Sequence, residues 1–400
     1  MNGRSQKRSG AWLLESSRKT PPGPPTLSGG SNRFLHTAKR GFPPLPSSSA
    51  AMKLSELGEE AFLEELVTRF PPPGGAFSGI GDDAAAVEVP TEEKALLTVD
   101  ALVEGVHFVR RTLPPRLLGR KAVAVSASDI AAMGGRALAV LSSLVVTGEL
   151  EVESLWEILD GVAERAGELG MSLVGGNVAR SRGPLVVDVT VLGCTHSGRA
   201  LSRSGARPGD GLYVSGKIGA AVAGRELLDQ GVALSPSGGL IVPEPLRDAP
   251  LSLAEACIRA HMDPAPRLDL ARELNRARLA TACIDVSDGL SLDLHRLCRA
   301  SGVGARIEEG ALPLSPGLLA WARYWKRDAT HLALSGGEDY ELLFTAGADD
   351  GIEALRETSD TALTRIGEVH KDPSVQILKR SGSLEALPAL GWDHFRGDTL

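Results

Sequence analysis

Ser78-Gly79-Ile80-Gly81-Asp82-Asp83-Ala84-Ala85-Ala86-Val87 sets two adjacent carboxylates between a glycine-rich turn and an apolar run. The glycines let the backbone turn where a Cβ would clash, and the run after Asp83 reads as a strand. Successive side chains of a strand point to opposite faces. Asp82 and Asp83 therefore serve one site only if the turn re-aims one of them. No Lys or Arg lies between Phe70 and Glu93 to neutralise the pair. One reading is a hard cation held by carboxylate oxygens; the other is a solvated turn capped by aspartates. The recurrence of similar Gly/Asp stretches downstream favours the cation.

A strand over residues 95–99 is expected to end at Asp100, with Glu104, His107 and Phe108 soon after. A helix over about 117–133 contains Ser126-Ala127-Ser128-Asp129-Ile130-Ala131-Ala132-Met133-Gly134-Gly135. Asp129 in that small, apolar stretch costs several kcal/mol if buried without a partner, so it calls for a cation. A strand over 137–147, a helix over 152–169, a short strand over 172–174, then Gly175-Gly176-Asn177 and a strand over 185–193 complete the first half.

The second half opens on a polar connection, residues 195–210. Its Arg199, Arg203 and Arg207 suit either phosphate contact or a solvated linker. A strand over 211–215 leads into Gly216-Lys217-Ile218-Gly219, which lacks the spacing of a phosphate loop, and then a helix to about 229. Ile284-Asp285-Val286-Ser287-Asp288-Gly289-Leu290 again groups carboxylates at a strand end, where ligand sites of α/β proteins sit. Ser335-Gly336-Gly337-Glu338-Asp339-Tyr340-Glu341 places three acids around a turn into a further strand. Gly391-Trp392-Asp393-His394-Phe395 closes the chain, its Trp reading as an anchor for the chain end. Alternating strands and helices define an α/β (α+β) fold.

The 400 residues suffice for about two domains and are 42% hydrophobic and 23% charged, as in ordinary globular proteins. Residues 1–51 hold eight Lys/Arg against Glu15 alone, a charge of +7; with −7 for the whole chain, −14 remains on residues 52–400. That acidic body argues against nucleic acid as partner and suits bound cations. Residues 1–51 lack apolar periodicity and read as a disordered basic extension. Met52 opens a helix capped by Ser55 with Leu57, Phe62, Leu63, Leu66 and Phe70 on its apolar side, and is a candidate start codon. Cys194, Cys257, Cys283 and Cys298 have no metal-ligand spacing and read as reduced thiols of a cytoplasmic protein. No apolar run approaches the ~20 residues needed to span a membrane. No Ser/His/Asp or Cys/His nucleophile pattern is present. Carboxylates, mobile glycine turns and arginines together describe a Mg²⁺ and polyphosphate site.

The ordered set GIGDDAA, TVDALVEGVHF, SASDIAAMGG, VGGN, LSRSGARPGD, IDVSDGLSLDLHRL, LSGGEDYELLFT, IGEV and GWDHF resembles the thiamine-monophosphate kinase family, a branch of the aminoimidazole ribonucleotide synthetase and selenophosphate synthetase superfamily. The resemblance runs in order over residues 54–395. It implies ATP-dependent phosphorylation of thiamine monophosphate to thiamine diphosphate, several Mg²⁺ ions and a homodimer. It also implies two domains: residues 52–194 forming a dimeric β-core with metal and ATP sites, and residues 195–400 forming a C-terminal α/β domain. By motif, Asp83, Thr98, Val99 (through its carbonyl), Asp100, Asp129, Asn177, Asp285 and Asp288 are implied Mg²⁺ ligands. Gly176, Asn177, Arg203 and Ser287 are implied ATP contacts, and His107, Glu338 and Trp392 substrate contacts. Asn177 departs from the Asp often found there and removes one charge. Within the superfamily, a selenophosphate synthetase would need a reactive Cys or selenocysteine near the first glycine loop, and none lies there. The GEDYE and GWDHF segments favour the thiamine kinase over aminoimidazole ribonucleotide synthetase. A binding protein without catalysis is the alternative from another class, and the intact acidic set opposes it.

Overall fold

The computed structural model describes residues 52–57, 59–70, 77–78, 86–196, 198, 200–235, 239–249, 251–347 and 350–393. The first acidic stretch, with Asp82 and Asp83, lies outside the described residues, as do residues 1–51, Arg199, His394 and Phe395. Helices α1 (Leu54–Leu57) and α2 (Glu59–Arg69) and the two-residue strands β1 (Phe77–Ser78) and β2 (Ala86–Val87) come first. Strand β3 (Glu93–Val103), helix α3 (Pro115–Ala132), strand β4 (Arg136–Val146), helix α4 (Val152–Glu168) and strands β5 (Ser172–Arg180) and β6 (Val186–His196) follow.

These four long strands form one sheet in the order β3-β6-β4-β5, with β6 antiparallel to both neighbours and β4 parallel to β5. Alternation along β3 sends Leu96 and Leu102 into the core, whereas Leu97 and Val99 are 74% and 58% exposed on the other face. The covered face packs on α3, which starts with Pro115 in its first turn, where a missing N–H costs nothing. Its small residues let it approach α4 closely. A Cβ at Gly119 would lie 2.0 Å from the Ile158 carbonyl oxygen, and one at Gly161 would lie 2.0 Å from that of Arg116. Backbone meets backbone there, so neither contact relaxes by a rotamer change. Gly119→Ala is expected to destabilise the protein by about 1–3 kcal/mol through overpacking. Thermal unfolding reads this, and a wild-type melting temperature would refute the close crossing.

In the second half come β7 (Gly211–Ser215), α5 (Ala220–Asp229), β8 (Ala233–Leu234), β9 (Leu240–Ile241), α6 (Ala254–Met262), α7 (Leu268–Arg276), β10 (Ala280–Val286), α8 (Leu290–Ser301) and β11 (Gly304–Glu308). They are followed by α9 (Pro316–Tyr324), α10 (Ala329–Ser335), β12 (Glu341–Ala346), α11 (Asp350–Thr358), β13 (Leu363–His370), β14 (Val375–Leu378) and β15 (Leu384–Ala386). Seven strands form a sheet in the order β10-β12-β7-β13-β11-β14-β15. Only β11 and β14 run parallel within it, so alternation of strands and helices did not produce a parallel sheet; the fold is mixed α/β with largely antiparallel sheets. β7 and β12 are buried throughout, which is why GLYVS and ELLFTA read as continuous rather than alternating apolar strands.

Helix α3 also serves as the floor between the halves. Ser128 Oγ donates to Asp285 Oδ2 at 2.9 Å, and Arg120 pairs with Asp263 at 2.9 Å. Asn275 Nδ2 donates to the Gly134 carbonyl at 2.8 Å.

Candidate active site

A cavity of about 920 Å³ opens above α3 between the two sheets. Asp100 and Val99 reach it from β3, Asp129 from α3, and Asp285, Ser287 and Asp288 from the end of β10 and the turn beyond. His107, Arg203, Glu338 and Trp392 line it as well. Thr98 stands behind, its hydroxyl donating to Asp129 Oδ2. Gly176 and Asn177 are not among the lining residues. Both lie inside edge strand β5, opposite Ser142 and Ser143. The glycine at 176 has a packing reason, because a Cβ would stand 2.0 Å from the Ser142 carbonyl oxygen. Asp100 likewise is not at a strand end; it pairs with Val189 well inside β3. Both strands outrun the expected boundaries because cross-strand pairing, invisible in local sequence, extends them.

The acidic end of the cavity is electrostatically strained. Burial, and then the Asp129 charge, raises the Asp100 pKa to about 6; the same two causes raise that of Asp285 to about 8. Asp100 Oδ2 is buried without a hydrogen-bond partner among the described residues. Arg296, which lines the same cavity, is committed to Asp288 Oδ2 at 2.5 Å and Asp293 Oδ1 at 2.7 Å. Such a donor set fits hard cations. Among the described residues no three acidic, His or Cys side chains converge tightly enough to chelate one ion alone. That suits Mg²⁺, which keeps waters and is bound through one or two carboxylates together with substrate phosphates.

Asp293 escaped the sequence reading. It is fully buried, and its Oδ2 accepts the amide hydrogens of Ser287 (3.2 Å) and Asp288 (3.1 Å), thereby shaping the turn that aims Asp288. Its position in the first turn of α8 is compatible with an ordinary dipole-stabilising acid, so the sequence offered no distinguishing signal.

Beside the Val286–Asp288 turn, Glu338 and Tyr340 hold left-handed backbone conformations (φ 68° and 49°), each costing of order 1–3 kcal/mol for a non-glycine residue. The loop is pinned on both sides. Glu338 N–H donates to the Ser287 carbonyl at 2.8 Å and Tyr340 N–H to that of Val286 at 2.9 Å. Asp339 Oδ2 accepts from Gly219 N–H at 2.7 Å, and its Oδ1 accepts from Ala221 N–H at 3.3 Å, so it caps α5. Glu341 holds Arg267 in a two-point pair at 2.7 and 2.5 Å. Glu338 then meets two partners: Lys121 Nζ at 2.6 Å from Oε1 and His261 Nδ1 at 2.8 Å from Oε2. Burial opposes its charge, but the Lys121 ammonium and His261 hold the carboxyl well below the usual range. Lys121 and His261 were also missed. A Lys inside GRKAVAV looks like a solvated helix residue until its 0% exposure is seen.

Trp392 is brought to the cavity wall by the chain end, whose Trp392 N–H donates to the Asp288 carbonyl at 2.9 Å.

Residues 81–195 match the AIR synthase related protein N-terminal domain, and residues 207–379 match the C-terminal domain of the same class. Both halves are therefore those of the AIR synthase-related proteins. The thiamine-monophosphate kinase of Escherichia coli (strain K12) is 35% identical over 326 residues, covering 79% of this chain and 91% of that protein. The chain belongs to the thiamine-monophosphate kinase family. The crystal structure of thiamine-monophosphate kinase from Stenotrophomonas maltophilia K279a superposes with a TM-score of 0.65 at 35% identity, covering 80% of this chain and 94% of that one. AaThiL complexed with AMPPCP and TMP superposes with a TM-score of 0.65 at 31% identity, covering 87% of this chain and all of the other.

Proposed function

We propose that this chain transfers the γ-phosphoryl group of ATP to the phosphate of thiamine monophosphate, yielding thiamine diphosphate and ADP. The observation that carries the reading is one cavity with aspartates from both halves at one end and Glu338, His107 and Trp392 along its walls. The relative complexed with AMPPCP and TMP supports it. Asp100, Asp129, Asp285 and Asp288 would hold Mg²⁺, with the Thr98 hydroxyl, the Val99 carbonyl and Asp83 as further ligands. Such ions cancel the repulsion between the donor and acceptor phosphates. Arg203 and Ser287, which line the cavity, would contact ATP. A phosphate-monoester oxygen is already an anionic nucleophile, so the chain supplies position rather than a general base. Trp392 offers an aromatic face to the cationic thiazolium, and Glu338 a negative field.

Purified protein given thiamine monophosphate and ATP is expected to form thiamine diphosphate and ADP one for one with Mg²⁺, and neither product when Mg²⁺ is chelated. ADP without thiamine diphosphate would contradict the reading. So would a ³²P-labelled protein that forms and decays on the reaction path, because direct transfer leaves no phosphoenzyme.

The working form is proposed to be a homodimer built on the open face of the first sheet, where Leu97, Val99 and Leu141 (39% exposed) form an apolar surface. Light scattering is expected to give twice the chain mass, and Leu97→Lys to return the monomer. A wild-type monomer at micromolar concentration would overturn the dimer. No helix among the described residues is long and apolar enough to cross a membrane.

A further inference from the structure

Two histidines line the cavity, and their Nδ1 atoms face groups of opposite kind. His107 Nδ1 accepts the Val103 N–H at 3.0 Å, so its neutral ring carries the proton on Nε2. His261 Nδ1 is sealed from solvent 2.8 Å from Glu338 Oε2. At that separation a lone pair on Nδ1 would face the lone pairs of a carboxylate, so Nδ1 bears the proton and Nε2 is the acceptor. Burial and the adjacent Lys121 ammonium lower the His261 pKa, which keeps the ring neutral and the acceptor intact.

The position of this acceptor is informative. Lys121 and Asp129 lie eight residues apart on α3, close to one face and roughly 12 Å apart along the helix axis. The Lys121 ammonium holds the Glu338 carboxylate, and with it His261, toward the end of α3 away from Asp129, while the Glu338 backbone lies beside Ser287. A substrate whose phosphate is held at the aspartates, and whose far heterocycle hangs beyond an ethyl arm, a five-membered ring and a methylene bridge, would direct that heterocycle toward His261 in the same cavity. In thiamine monophosphate that heterocycle is an aminopyrimidine, whose exocyclic amine is a donor.

We infer that His261 is a specificity-determining residue whose Nε2 accepts a hydrogen bond from the exocyclic amine of the substrate's pyrimidine. Lys121 is then a positioning residue that acts through Glu338 and His261 without touching the substrate. The inference rests on the reading of the cavity as a thiamine monophosphate site.

The test compares thiamine monophosphate with the analogue carrying hydrogen in place of the exocyclic amine, in the wild type, His261→Leu and His261→Gln. The wild type is expected to favour the amine by roughly 10-fold or more in kcat/KM, chiefly through KM, on the scale of one hydrogen bond. His261→Leu is expected to abolish that preference, losing on the amine and not on the analogue. His261→Gln, whose amide oxygen still accepts, is expected to keep part of it. Equal kcat/KM for the two compounds in the wild type overturns the inference, even if the Leu variant fails to fold. Equal losses on both compounds in His261→Leu overturn it as well. A wild type that phosphorylates the amine and ignores the substitution leaves the kinase reading standing and removes this inference alone. A wild type that turns over neither compound overturns both.

Discussion

Asp129→Asn is expected to lower turnover by roughly 10²-fold or more at saturating Mg²⁺, the scale of a lost electrostatic catalytic contact. The substitution keeps the shape of the side chain and an oxygen for the Thr98 hydroxyl, so the loss isolates charge. Asp129 is the group whose charge raises the pKa of both Asp100 and Asp285 after burial has done so. Removing it relieves repulsion in the metal-free protein. The variant is therefore expected to melt no lower than the wild type without Mg²⁺ while being stabilised less by added Mg²⁺. Asn177→Asp, a change on the edge strand away from the cavity lining, is expected to retain near-wild-type turnover. Turnover against free Mg²⁺ for the two variants reads both expectations, and an active Asp129→Asn or an inactive Asn177→Asp means the aspartates have been given the wrong task.

Lys121→Met is expected to destabilise the protein by about 3–5 kcal/mol, because breaking a buried pair from one side leaves the other charge uncompensated. Lys121 is 0% exposed, and its ammonium lies 2.6 Å from Glu338. His261 supplies a partial rescue with a definite pH sign. Burial, Lys121 and Arg225 lower its pKa, whereas Glu338 raises it. Loss of Lys121 lets the folded-state pKa rise, and a raised His pKa gives stability at acidic pH that disappears as pH climbs through it. The melting deficit of the variant is therefore expected to be smaller near pH 5.5 than near pH 8. Lys121→Met combined with Glu338→Gln is expected to recover part of the deficit, since the unpaired charge is gone. Thermal unfolding at the two pH values checks this, and a pH-independent deficit would mean that His261 does not respond to the pair.

What was legible in the sequence was chemistry more than geometry. Asp100, Asp129, Asp285 and Asp288 announced themselves as carboxylates in small-residue or glycine surroundings, and the fold brings them to one cavity. The sequence predicts a strand ending at Val174, because glycine normally interrupts strands, whereas β5 runs on to Arg180. There the lack of a side chain at Gly176 instead admits the backbone of β4. Asp293, Lys121 and His261 were illegible for a different reason. Each sits in a helix at a spacing that suits a surface residue, and only tertiary packing decides that they face inward to support Asp288 and Glu338. The antiparallel sheets were equally hidden, since strand direction is set by pairing across the fold rather than by local pattern.

The aspartate cluster would hold Mg²⁺ ions that offset the charge of the two substrate phosphates. Crystals grown with Mn²⁺, AMPPCP and thiamine monophosphate, measured for anomalous scattering, test that directly. The predicted result is Mn²⁺ peaks within coordination distance of Asp100, Asp129, Asp285 or Asp288 and of phosphate oxygens. Nucleotide and thiamine monophosphate bound with peaks elsewhere, or with none at these carboxylates, would contradict it.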